Sequence, residues 1–467
     1  MAMTIEQQPA YKLQPAGSDW IFTISSTNVS GNYKYKFIID LQIDQSLPSA
    51  NTIRLKVSPN DAEVGIINIS SILQDYVNYD LLAYNGTSIK AEFKGTDFSD
   101  TNRFAMPLID KLSLATNSVY RLNVKIGEEY STTANGAPTL TAAVTALDDL
   151  VFYNGVSYNN EQTFTGGNYG LNPADWNGNN YVLDGTTGTA LTNAPTESQY
   201  IGDNEYATLS HLNGWTGAAP AQAQKAEIKI YNELNQLLQT KTITFNSANG
   251  GYDGPGDSAF TLGPKHIQYI GVGTANIKGW SSLAGTWNYY TIQLQNVGGT
   301  IKSKTYKYIR RDADCKGYEK IRLCWINKFG VWDYYTFTKK STKQTKINRN
   351  YYSSVKGNWN NSTFTKDGID RGRGVVTTKA TQSININSDW ISTDEEAAWL
   401  EELFISPSVY ILGDYDASDT GDADYGKYMI PVVITNSDYQ TYTRVNDKVS
   451  LYNIDLEYSI DKKVQKA

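Results

Sequence analysis

Over much of the chain, apolar and polar residues alternate with a period of two. Tyr33, Tyr35, Phe37, Ile39, Leu41 and Ile43 interleave with polar neighbours, the pattern of a strand with one buried face. Ile53, Leu55 and Val57 repeat it before the turn Ser58-Pro59-Asn60-Asp61, and further strands are expected over Ser88–Phe93 and Ser118–Ile126. Glu227–Tyr231 and Gln239–Phe245 flank Asn232–Asn235 as a hairpin. The run Ile321–Phe337 predicts two aromatic-rich strands around Asn327–Gly330, with glycine where the turn needs a left-handed residue. Trp325 and Trp332 then lie on either side of that turn as cross-strand core. Met429–Thr435 and Val449–Tyr458 read as the final strands.

Two segments break the period. Ile69, Leu73, Tyr76 and Val77 fall on one face of a short helix within Asn68–Val77. A second helix is expected over Ser392–Phe404. Ser392 and Glu395 form a capping box, Asp394 and Glu396 add negative charge to the first turn, and Trp399, Leu400, Leu403 and Phe404 give the apolar stripe. Ser406-Pro407 ends it.

The expected fold is therefore all-β and multi-domain, with β-sandwich-like domains and one short C-terminal helix. The length of 467 residues implies about three domains at roughly 150 residues each. Changes in texture divide the chain into an N-terminal arm (1–19), a first sandwich-like domain (20–130), a Gly/Asn/Thr-rich β insert with long loops (131–220), a second sandwich-like domain (221–355) and a C-terminal β domain (356–467) carrying the helix at 392–404. Residues 1–19 and 131–220 are polar and turn-rich, which makes them the candidates for contacts with other subunits.

Charge and candidate chemistry narrow the function. The net charge is −7, with both signs mixed along the chain and no footprint for sequence-specific nucleic-acid binding. One basic run stands out, Lys339, Lys340, Lys343, Lys346 and Arg349. It reads either as a solvated strand edge or as a contact for an acidic neighbour or for DNA in a channel. His211 and His266 are the chain's two imidazoles, and neither adjoins a nucleophile motif. The chain has no G-x-S-x-G, H-E-x-x-H, P-loop or dinucleotide fingerprint. Glycoside hydrolysis would need only two acids at the right separation in space, which no motif marks. The expectation is a non-enzymatic chain with no cofactor.

The densest acidic cluster is Asp414, Asp416, Asp419, Asp422 and Asp424. A hard cation such as Ca²⁺ would relieve their repulsion. Position six of that run is aspartate and position twelve is Tyr425, so it is no EF-hand, and a solvated acidic loop is the plainer reading. Cys324, in an apolar run, reads as a small buried residue; Cys315 lies nine positions before it. The first residues lack the basic and apolar regions of a secretory leader, and no stretch is apolar enough for a membrane span.

Four stretches carry a resemblance to a known group. They are NISSILQDYV (Asn68–Val77), IGEEYS (Ile126–Ser131), WINKFGVWDYYTF within Arg322–Phe337, and the C-terminal WLEELFISPSVYI, IPVVITNSDY and LYNIDLEYS. Together they resemble uncharacterised tail-associated virion structural proteins of bacteriophages infecting Bacteroidetes. The resemblance implies a ring, collar, baseplate or tail-tip component, assembled in the host cytoplasm, that forms a homo-oligomer and docks to other tail proteins. It transfers no active-site residue. The competing class is a secreted or surface carbohydrate-binding or receptor-binding β-sandwich protein, equally rich in Trp and Tyr but expected to carry a leader peptide.

Overall fold

In a computed structural model the chain is built from strands arranged in several sheets, with two helices among the described residues. Those residues are 3–11, 13–44, 52–79, 107–109, 112–115, 117–158, 163–165, 167–170, 188–212, 223, 225–244, 267–277, 287–296, 298–311, 317–369, 372–413, 429–436 and 449–463. Neither described helix is long and apolar enough to cross a membrane. The all-β, multi-domain expectation holds. The chain divides into two compact units, Met1–Asp312 with Trp325–Tyr334 and Asp414–Ala423, and Ala313–Cys324 with Tyr335–Gly413 and Asp424–Ala467.

The first unit opens with two sheets sharing one core. Met3–Gln7, Ile21–Ser26 and Val64–Asn68 form a three-stranded sheet in the order first, second, third. Leu13–Gly17, Thr139–Val156, Val119–Ser131, Tyr33–Asp44 and Thr52–Val57 form a five-stranded sheet in that order. Trp20, Phe22, Ile24, Phe37, Ile39, Leu41, Val124, Ile126 and Phe152 meet in a single buried cluster drawn from both. Burying each such side chain contributes roughly 1.5–3 kcal/mol. The alternating residues from Tyr35 to Ile43 are buried, and Ile38 and Asp40 on the opposite face are buried as well. Tyr33, one step further out, is exposed.

Two expectations are corrected here. Residues 1–19 are no arm. Met3–Gln7 pairs antiparallel with Ile21–Ser26, Leu13–Gly17 pairs parallel with Thr139–Val156, and Leu13 and Ala16 are fully buried. Their polar composition hides this because the residues buried here include Gln14 and Ser18, whose polar groups are satisfied by hydrogen bonds. The boundary at 131 is also misplaced. Val119–Ser131 turns back into Thr139–Val156 and pairs with it over most of its length, so 131–156 completes the first sandwich.

The motifs behind the resemblance are structural in this unit. Glu128 is buried and accepts hydrogen bonds from Ser26 Oγ (2.8 Å), Asn28 Nδ2 (2.6 Å) and Tyr35 Oη (2.6 Å). Burial and that carboxylate raise the Tyr35 pKa. Glu129 pairs with Lys56, and the Tyr130 ring stacks on Tyr35. Asn68 Oδ1 accepts from the amides of Ser70, the first residue of the helix Ser70–Gln74, and of Trp20. Of the four residues assigned to that helix face, Ile69, Leu73 and Val77 are buried and Tyr76 is exposed.

The rest of the unit holds a five-stranded sheet, ordered Gln199–Ile201, Ile301–Arg310, Tyr289–Gln295, Lys225–Tyr231, Leu237–Thr244. A three-stranded sheet is ordered Thr208–Leu212, Ile267–Gly271, Leu112–Ala115. The expected hairpin around Asn232–Asn235 is present. The tip of the aromatic hairpin belongs here as well. Asn327 Nδ2 donates to Leu191 O and Asp333 Oδ2, while its Oδ1 accepts from the amides of Phe329 and Val331. Gly330 adopts φ +74° directly against the Asn154 carbonyl, where a Cβ would collide. Trp325 and Trp332 are both buried.

The second unit is built on a seven-stranded sheet ordered Trp332–Phe337, Ile321–Ile326, Val409–Leu412, Met429–Ile434, Asn453–Tyr458, Arg373–Asn387, Thr342–Ser353, the tip residues Trp325–Tyr334 counting with the first unit. The division expected at 355 therefore falls inside one sheet. The helix Asp394–Ile405 buries Trp399, Leu400 and Leu403, with Trp399 edge-on to Tyr335 at 6.0 Å. Its cap is Thr393 rather than Ser392: Thr393 Oγ1 accepts from Glu396 N at 3.2 Å. Either frame satisfies the S/T-x-x-E pattern, and the Thr393 frame leaves the buried stripe intact.

Candidate docking ribbon

Lys343, Lys346 and Arg349 of the basic run lie on the outermost strand of the seven-stranded sheet, Thr342–Ser353, and Lys339 and Lys340 just precede it. Thr342–Ser353 pairs along its length with Arg373–Asn387, from Thr342 opposite Asn385 to Ser353 opposite Arg373. The next strand, Asn453–Tyr458, covers only Ser383–Asn387, with one further bridge from Ala380 to Lys462. Among the described residues, no further strand pairs with the ribbon beyond Ala380, where it continues as two strands. At about 3.3 Å per residue, Arg373–Lys379 extends it roughly 20 Å past the sheet.

All twelve residues of Thr342–Ser353 are exposed. A solitary two-stranded ribbon is only marginally stable in water, so its local contacts matter. Arg373 lies over the Tyr351 ring at 3.8 Å. The Tyr352 ring lies against Gly374, where any Cβ would strike it. Asn350 Nδ2 donates to Thr377 Oγ1 at 3.0 Å beside a bulge at Asn350/Tyr351. The connecting loop closes through Ser354 N to Gly372 O (3.1 Å) and Asn358 N to Thr365 O (2.8 Å).

The tip of the ribbon is apolar and exposed. Val355 is 75%, Trp359 72%, Phe364 57% and Ile369 87% exposed, with the Trp359 and Phe364 rings edge to face at 5.1 Å. Such residues in one loop mark a contact surface. Three ribbon or near-ribbon lysines pair with carboxylates, Lys343 with the exposed Glu319, Lys379 with the exposed Asp461 and Lys339 with the half-buried Asp389. Exposed pairs of this kind contribute about 0–1 kcal/mol each.

Asp414, Asp416, Asp419, Asp422 and Asp424 lie outside the described residues, as do His266 and Cys315. No group of three or more metal-ligating side chains occurs among the described residues. His211 is fully buried, and desolvation lowers its pKa to about 4. Burial likewise raises the pKa of the free Cys324 thiol. Trp359 and Phe364 were not legible as a site. The usable signal is the strand TKQTKINRNYYS, in which no face alternates apolar residues as a buried face would.

No known protein family matches the chain, and no curated protein does either. Among solved structures, trypsin-activated alpha-2-macroglobulin from Escherichia coli is 8% identical, covering 97% of this chain and 23% of that one, at TM-score 0.15. The Dpr2 Ig1-Ig2 complex with DIP-Theta Ig1-Ig3 is 9% identical over 83% and 95% of the two chains, at 0.16. The plexin A4 extracellular region is 10% identical over 99% and 36%, at 0.14. This chain thus spans about a quarter of the macroglobulin's length. Scores this low define no common fold, and nothing is carried over from these proteins.

Proposed function

We propose that the chain is a structural subunit of a bacteriophage tail, in the ring, collar, baseplate or tip class, and that it works by docking to copies of itself and to other tail proteins. The observation that carries the docking half is the ribbon 342–387. A long, fully exposed strand edge ending in an apolar tip is an aggregation hazard in a free protein and a natural joint in an assembly. The tail context rests on the sequence resemblance. The virion, reached by assembly in the host cytoplasm, is the location this reading implies.

Purified particles test it. Quantitative mass spectrometry should find the chain in multiple copies per virion, and labelled antibody should place it on the tail. Its absence from purified particles, or a single copy without broad neighbour contacts, would overturn the reading.

A further inference from the structure

The ribbon carries a charge opposite to that of the chain it belongs to. Residues 339–387 contain ten Lys and Arg against two Asp, from chain totals of 41 basic and 48 acidic residues. That leaves 31 basic against 46 acidic residues elsewhere. A second copy of the same chain therefore offers an acidic surface for a basic ribbon.

The charge pattern also decides which kind of self-contact is allowed. The outer edge of Thr342–Ser353 could pair antiparallel with the same edge of a second copy. A two-fold axis between Ile347 and Asn348 would then set Lys346 opposite Arg349 twice, with no carboxylate in either strand. Like charges directly opposite across a strand pair are destabilising. Other registers avoid that direct opposition, but every symmetrical contact sets one net-basic ribbon against another, which disfavours it.

We infer that the ribbon docks heterologously, its basic edge and Val355/Trp359/Phe364/Ile369 tip seating on the acidic remainder of a second copy, outside residues 339–387 of that copy. The inference rests on the reading of the chain as an assembly subunit and names the surface and partner. A heterologous contact repeated from copy to copy closes into a ring or grows into a fibre, and does not stop at a two-fold dimer.

Two surface variants of the full chain test it, Lys346→Glu/Arg349→Glu/Lys356→Glu and Trp359→Ser/Phe364→Ser, each checked for unchanged circular dichroism and melting. In sedimentation velocity the wild type should associate with rising concentration. Association should weaken as salt goes from about 0.1 M to about 1 M, where the screening length falls from about 10 Å to about 3 Å. Both variants should associate about tenfold more weakly or worse. A photoreactive residue in place of Asn348, in mixed ¹⁴N and ¹⁵N chains, should cross-link between copies to peptides outside 339–387.

A wild type that stays monomeric at every concentration would defeat the inference, as would variants that associate unchanged or cross-links joining ribbon to ribbon. Oligonucleotide binding lost in the charge variant while self-association persists would reassign the ribbon to nucleic acid. Particle composition is read separately. A chain present in virions whose association ignores the ribbon fails this inference alone, whereas a chain absent from virions fails the tail reading.

Discussion

Trp325 and Trp332 flank a turn whose closure depends on Asn327 and Gly330. Both rings are buried, so Trp325→Ala and Trp332→Ala should each cost about 3–5 kcal/mol of stability. Denaturant unfolding measures this, and unchanged midpoints would show that neither ring is core. His211 makes a second residue-scale expectation. Its folded pKa of about 4 lies below the unfolded value near 6.5, so the unfolded chain binds more protons between those limits. Stability from this group is intact above pH about 6.5 and declines as the pH falls toward 4, by up to about 3 kcal/mol. His211→Gln should therefore lose less stability than the wild type between pH 7 and 4.5. Equal losses in paired urea titrations would rule the effect out.

At the scale of elements, the strands that alternate cleanly were legible, because a buried face leaves its period in the sequence. Tyr35 to Ile43 is an example, whereas the hairpin of Trp325 and Trp332 was legible by its dense apolar run, its two strands being buried at every position. The helix Asp394–Ile405 was legible to within a turn, and only its cap shifted. The strands Met3–Gln7 and Leu13–Gly17 were not, since each gains its place from partners distant in sequence and not from a pattern of its own. Deleting residues 1–19 should consequently destabilise the first sandwich rather than trim a free arm. Loss of its cooperative unfolding transition in calorimetry is the expected result, and an unshifted transition would count against it. Thr393→Ala should cost about 1 kcal/mol through the lost cap. The same measurement on Ser392→Ala should show little.

For the whole molecule, the sequence pattern spoke about cores and was nearly silent about surfaces. Lys339–Arg349 was visible as a basic run, yet nothing in one dimension says that its strand leaves the sheet behind. Trp359 and Phe364 look like any aromatics until their exposure is known. The domain limits failed for a related reason: Thr139–Val156 and Thr342–Ser353 each pair with strands across the expected boundaries, and pairing across a boundary leaves no local signal. The stretches that carry the sequence resemblance turn out to hold the fold together. Glu128 and Asn327 are examples, buried acceptors and donors whose partners come from far along the chain.

The parallel pairing of Leu13–Gly17 with Thr139–Val156 also sets a clock on synthesis. Leu13 finds its place opposite Val151, so the beginning of the chain cannot complete its sheet until the ribosome has passed that point. At about 5–20 residues per second, that interval is on the order of ten seconds. Throughout it Leu13, Ala16 and Trp20 wait without their final cover, and contacts this distant in sequence are the slow ones to form. The first sandwich therefore closes only once Val151 and its neighbours have emerged, and its apolar strands are open to aggregation until then.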